Sequence, residues 1–331
     1  MTSTAAANPL VQYTEDIQPR PIPEALLAAR RDAMAAVREL ATLKDTDMET
    51  FWAWKGDGEN ELRYGFYRIF EDFERAGIDA AAALRKAGVE RGRAADLIAP
   101  ATAARWDLQG ILIPLPDTVW DADPGDEQWT IRQTLGHVIG GQRSYGAVTA
   151  WWQSQALPAD ANLPTALNMP PISGMPSAAD SNLPTARPTH IYDALPTDEE
   201  EEAGTPAELR ARLDEVIDQS AERLAGLPPE RLAHGTRWMG FALDIGFRIG
   251  RWSSHFREHT IQVEKTLVML GHAPTEVDRL IRLILAAWGQ AEAAVYGSVD
   301  AGEALTLLAA AAARARVTAA EVTGVAGASG A

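Results

Sequence analysis

Apolar residues recur along most of the chain at intervals of three and four, the spacing that builds one face of an α-helix. In residues 59–87 this pattern is carried by Leu62, Phe66, Ile69, Phe70 and Phe73, with charged positions between them. Residues 22–43 are rich in Ala, Leu, Arg and Glu, and Pro23 suits a first helical turn. A third helix is expected over 92–113, ended by Pro114 and Pro116. The sharpest start follows: Thr130 can cap a helix while Gln133 reaches back to it, and Ile131, Leu135, Val138 and Ile139 then line one apolar face to about Ser154. Helices are expected again over 206–225, 239–270, 275–296 and 301–320, with a fraying tail at 324–331. Almost no stretch alternates as a strand does, so the chain reads as all-α.

Residues 156–205 break the helical pattern. They are rich in Pro, Ala, Asn and Ser, carry NLPTA at 162–166 and again at 182–186, and lead into an acidic run at 198–202. Such a segment is a linker or a functional loop, and it is long enough to cross between parallel neighbouring helices. Further upstream, a helix at 22–43, a loop with Trp52 and Trp54, and a helix at 59–87 echo the 92–154 arrangement without its histidine, as a degenerate half-repeat would.

Composition narrows the function. At 331 residues with 46% hydrophobic content the chain can bury a substantial core. It has no run of roughly 18 apolar residues, the length a membrane span needs. The N-terminal residues lack the basic start and apolar run of a signal peptide, which predicts a cytoplasmic location. A net charge of -16 repels phosphate backbones and argues against nucleic acid as a partner. There are no cysteines, which excludes disulfides, thiolate metal sites and a cysteine nucleophile. Any sulfur chemistry must use a thiol brought in by a ligand.

Six histidines remain as candidate chemistry. His190, His234 and His272 have ordinary readings as loop or helix-end residues. His255 and His259 stand four apart in a helical stretch, on a stripe shared with Ile245, Trp252, Val263 and Leu270, so both rings face inward one turn apart and can grip one metal ion. By itself such a pair is more often a hydrogen-bonded core pair. His137 adds to it, because its stripe holds Thr134, Gly141, Ser144 and Tyr145, which are small or polar and leave room for a site. Three neutral imidazoles suit Zn, Ni or Fe(II) and leave coordination positions open.

Residues 129–137, WTIRQTLGH, resemble the second-helix motif of the DinB-like (DinB/YfiT) superfamily, in which a Trp-Ser/Thr-Ile-Arg start leads to a metal-binding histidine. Residues 255–262, HFREHTIQ, resemble its second motif, a His-x-x-x-His pair with Gln three residues on. The resemblance covers about residues 91–272. It implies a DinB-like four-helix bundle with a long crossover, and one divalent transition metal on His137, His255 and His259. The expected organisation is an N-terminal helical extension over 1–90, the bundle over 91–275 with its crossover at 156–205, and C-terminal helices and tail over 276–331. A homodimer is a further expectation from the family. Characterised relatives resemble transferases and isomerases that use mycothiol, bacillithiol or glutathione, and one branch helps make ergothioneine. No sulfatase-like domain is evident here, which argues against the complete sulfoxide-forming enzyme of that branch.

Three functional readings follow. In the first, the metal binds a low-molecular-weight thiol and activates it toward an electrophilic substrate. Arg248, Arg251, Gln262 and Tyr145 are then candidate substrate-binding residues, with ion pairs and caps inside the bundle as the ordinary alternative. The second is a metallohydrolase, because His255-Phe-Arg-Glu258-His259 matches H-x-x-E-H. The absence of evident strands, and of a role there for His137, argues against it. The third is a non-catalytic metal-binding bundle or stress-related binding protein. A di-iron carboxylate bundle is excluded by the lack of Glu-x-x-His pairs on two helices.

Overall fold

The computed structural model describes residues 8–54, 60–157, 188–238 and 241–329. Thirteen α-helices run through them: α1 (Pro9–Gln12), α2 (Glu24–Leu40), α3 (Arg63–Lys86), α4 (Arg93–Leu112), α5 (Asp117–Trp120), α6 (Ile131–Ser154), α7 (Thr189–Tyr192), α8 (Asp198–Glu201), α9 (Pro206–Leu224), α10 (Pro229–Leu232), α11 (Ile245–Met269), α12 (Glu276–Val295) and α13 (Gly302–Ser329). A 3-10 turn at Asp45–Asp47 and two short antiparallel hairpins complete the described elements: β1 (Phe51–Trp52) with β2 (Asn60–Glu61), and β3 (Gly235–Trp238) with β4 (Phe241–Asp244). No described helix is long and apolar enough to cross a membrane.

Each long helix expected from the hydrophobic spacing is present; two boundaries differ, and two short helices form in the 156–205 stretch, where none was expected. Residues 239–244 were expected to open a helix, but β4 occupies 241–244 and pairs with β3, Gly235 opposite Asp244. Asp244 then stops the strand by capping α11: its Oδ1 accepts the amide of Phe247 at 2.7 Å. The tail was expected to fray from 324, yet α13 continues to Ser329. Val322 is fully buried over Gly65, and Thr323 Oγ1 donates to Glu39 Oε1 at 2.8 Å. Within the irregular 156–205 stretch, α7 and α8 form. α8 starts with a capping box, Glu200 N donating to Thr197 Oγ1 and Thr197 N to Glu200 Oε2. Both NLPTA copies lie outside the described residues.

The chain divides into two compact units, and α4, α6 and α11 contribute residues to both. The first groups the described parts of Met1–Pro21, Arg91–Ile98 and Leu135–His255. Here α6 is approached closely on two sides, because Gly146 lies against Ser220 of α9 and Gly141 against His255 of α11. Leu97 of α4 sits over Gly246 and Gly250 of α11. These contacts assemble α4, α6, α9 and α11 as a bundle, and Trp152, Leu213, Ile217, Ile249 and Trp252 are fully buried in it. Each such aliphatic side chain contributes about 1.5–3 kcal/mol by leaving water.

The second unit groups Ile22–Glu90, Ala99–Thr134 and Phe256–Ala331. In it α13 packs on α2 and α3, and α12 packs on α3 and α2. Gly77 allows α3 within van der Waals distance of the α12 backbone, since a Cβ there would stand 2.9 Å from Ala291 Cα. At the centre Glu292 is wholly buried and accepts from Arg30, Arg105 and the indoles of Trp106 and Trp288 at 2.6–3.2 Å. Phe73 packs edge-on against Trp288, ring centroids 5.1 Å apart.

Candidate metal centre

His137 lies on α6, and His255 and His259 lie one turn apart on α11. The separation of four residues puts both α11 rings on one inward stripe, where His255 is 5% and His259 7% exposed. Each of the three histidines offers a ring nitrogen, and these atoms lie within 4.8 Å of one another. The His137 and His255 ring centroids are 5.6 Å apart.

The stripe on α6 explains the approach. One turn after His137, a Cβ on Gly141 would stand 2.7 Å from His255 Cε1, so only glycine leaves that space to the imidazole. One further turn on, Tyr145 presents an edge to the same ring, centroids 5.1 Å apart. The room inferred from small residues on this face is therefore filled by His255. Thr134 and Ser144, from the same stripe, donate to backbone carbonyls of their own helix.

Two rings are oriented by acceptors. Nδ1 of His137 donates to Asp198 Oδ2 at 2.8 Å, and Nδ1 of His259 donates to Gln262 Oε1 at 2.8 Å. Carboxylate and amide oxygens can only accept, so each Nδ1 carries the proton, and in a neutral imidazole Nε2 then holds the lone pair. This is how metal-ligating imidazoles are held. The donor set is three nitrogens with no thiolate and no carboxylate, which fits a borderline divalent cation with open positions.

A sequence model of the DinB superfamily matches residues 79–263, more than half of the chain. The chain belongs to the DinB superfamily. Metal binding is common in that superfamily, and the matched span contains all three histidines. No curated protein and no solved structure gives a significant match.

Around this DinB centre the other candidate residues take different places. Gln262 orients His259, and Tyr145 touches His255. Arg248 is buried, and its Nη1 donates to Arg237 O at 2.9 Å. Burial pushes its guanidinium below the usual arginine range, against a smaller opposing effect of Tyr192 and Tyr145. Arg251 donates to Ser254 Oγ at 2.6 Å and lines a groove with Arg93, Leu232 and Phe247 that contains none of the three histidines. Glu258, the base of the hydrolase reading, is exposed. His234 bonds Gln153 O, and His190 lies by Tyr13 and Trp151.

Asp198 is the site residue that sequence reading missed. It belongs to the acidic run, whose Thr197-x-x-Glu200 capping signature is the legible trace of α8. The helix is seated by Glu201, which is 2% exposed and receives Arg143 Nε at 2.6 Å. Gly136 and Gly140 of α6 make room for it, since a Cβ at either would stand 2.5 Å from Glu202 or Asp198 respectively.

Proposed function

We propose that this DinB protein holds one divalent transition metal on His137, His255 and His259 and uses it to act on a low-molecular-weight thiol, transferring or isomerising an electrophilic substrate. The observation that carries the reading is the convergence of three imidazoles, two of them oriented through Nδ1 by Asp198 and Gln262. A divalent cation bound there supplies Lewis acidity that lowers the pKa of a thiol or water it ligates. The chain's own residues position and enclose. His255 and His259 are buried while His137 is a third exposed on its side chain, so the small-molecule side of the site is the His137 side. With no cysteine in the sequence, the sulfur nucleophile comes from the bound thiol, mycothiol and bacillithiol being the candidates.

The test begins with elemental analysis of the purified protein beside a His255→Ala, His259→Ala double variant. About one equivalent of metal in the wild type and none in the variant is expected. The metal-loaded protein is then incubated with mycothiol, bacillithiol or glutathione and an aryl halide, following loss of free thiol. Metal without any thiol consumption or thiol binding would remove the transferase reading and leave a metal-binding bundle.

A further inference from the structure

The fold contains buried arginines of two kinds. Arg30 and Arg105 share the carboxylate of Glu292, so their charge is balanced inside the protein. Arg248 is just as buried, at 4% exposure, but no carboxylate among the described residues pairs with it. Its Nη1 donates to the backbone oxygen of Arg237, and its Nε has no partner. The Nε side of a guanidinium is a side that binds a carboxylate through two parallel hydrogen bonds. A buried charge left without a counter-charge is unfavourable to folding unless something else accounts for it.

Its place in the helix supplies the reason. Arg248 stands seven residues, two turns, before His255 on α11 and therefore on the same face. Tyr192 and Tyr145 act electrostatically on its charge. Tyr145 also packs against the His255 ring, centroids 5.1 Å apart. Both tyrosines are partly exposed.

We propose that Arg248 is the seat for a carboxylate on the small molecule that reaches the three histidines. The inference rests on the proposed metal site for the ligand's reactive end, but not for its carboxylate end. One guanidinium flanked by neutral hydroxyls balances one negative charge, which favours a carboxylate over a phosphate dianion. Seven residues at 1.5 Å rise separate the two positions by about 10 Å along α11. The carboxylate therefore sits several bonds from the atom directed at the histidines, as in an extended monocarboxylate.

Calorimetric titration of the full chain with hexanoate, hexanamide and hexyl phosphate tests this. Hexanoate is expected to bind the wild type and the His255→Ala, His259→Ala variant alike, and more tightly than either comparison ligand. Arg248→Met is expected to weaken hexanoate by about tenfold or more, while melting no lower than the wild type, because a well-packed apolar side chain replaces an unbalanced charge. Arg248→Lys, which keeps the charge but not the paired donors, is expected to weaken it several-fold. Absence of hexanoate binding in the wild type, wild-type affinity in Arg248→Met or, should that variant not fold, in Arg248→Lys, or tighter binding of hexyl phosphate would each overturn the proposal. A lower melting temperature in Arg248→Met with hexanoate affinity intact would assign Arg248 to holding Arg237 alone. Elemental analysis of the same preparations separates the two readings: hexanoate bound without metal removes the metal site, and metal bound without hexanoate removes the carboxylate seat.

Discussion

Asp198 Oδ2 accepts the Nδ1 proton of His137 at 2.8 Å, joining residues 61 positions apart in the chain. The contact depends on the close approach of α8 to α6, which the glycines at 136 and 140 allow. Asp198 orients the His137 ring by holding its Nδ1 proton, and a partner of this kind raises the basicity of the ring. Asp198→Ala should therefore weaken metal binding by about 10–100-fold with all three ligands still present. Competition against a chelator of known affinity measures it. Asp198→Asn should lose less, because an amide oxygen still accepts. Unchanged affinity in both would show that His137 needs no help in orientation.

Gly141 and His255 compete for one space. A methyl group at 141 would stand 2.7 Å from the imidazole Cε1, inside van der Waals contact. Gly141→Ala should displace the ring and lower metal affinity while removing no ligand. Overpacking of this kind costs about 1–3 kcal/mol. The affected property separates two explanations: reduced metal affinity with a modest fall in melting temperature is expected, whereas a stability change alone would mean that α6 shifts and the site follows it intact.

The helices and the clustering histidines were legible because both are written in local spacing. The periods of three and four mark the apolar faces, the Thr130 capping box is formed in both directions, and the His255–His259 pair needs only one helical turn. The site's outer partner was not legible, because Asp198 comes to His137 from 61 positions further along the chain. An acidic run alone does not say which carboxylate will be directed inward. The β3–β4 hairpin was missed for a different reason: residues 239–244 read continuously with the apolar stripe of α11, and the Asp244 cap that separates them is a single residue. Likewise, nothing local in the Ala- and Gly-rich end of α13 shows that Val322 is covered by Gly65.

Glu292 concentrates the polar stability of the second unit. Its carboxylate is fully buried and receives two guanidinium groups and two indoles. Glu292→Ala takes from two buried arginines the carboxylate they share, and breaking a buried pair in this way costs about 3–5 kcal/mol. Chemical denaturation should show a midpoint shift of that size. Adding Arg30→Met and Arg105→Met to the variant should recover part of the loss, since the charges that need balancing are gone. Failure to recover would locate the loss in the indole contacts instead.

Asp45 ties the chain before α3 to the start of α12. Its two carboxylate oxygens accept the amides of Glu276 and Val277 at 3.0 Å each, at a helix N-terminus where negative charge is favoured. The Glu276 amide is the main cause of a carboxyl pKa below its ordinary value of 3.8, with Val277, Thr275 and Arg279 adding to it against a partial opposing effect of burial. The sign follows from linkage. A carboxyl whose folded pKa is depressed binds protons more weakly in the folded state than in the unfolded one. Its contribution is complete above the unfolded value and fades as pH falls through the folded value. Asp45→Ala should destabilise by about 0.5–2 kcal/mol at neutral pH, the range for loss of a capping acceptor. The difference between wild type and variant should shrink once the pH drops below 3.8. Unfolding free energies of both proteins measured across the acid range decide it. A gap that stays constant with pH would mean that the neutral carboxyl caps α12 as well as the charged one does.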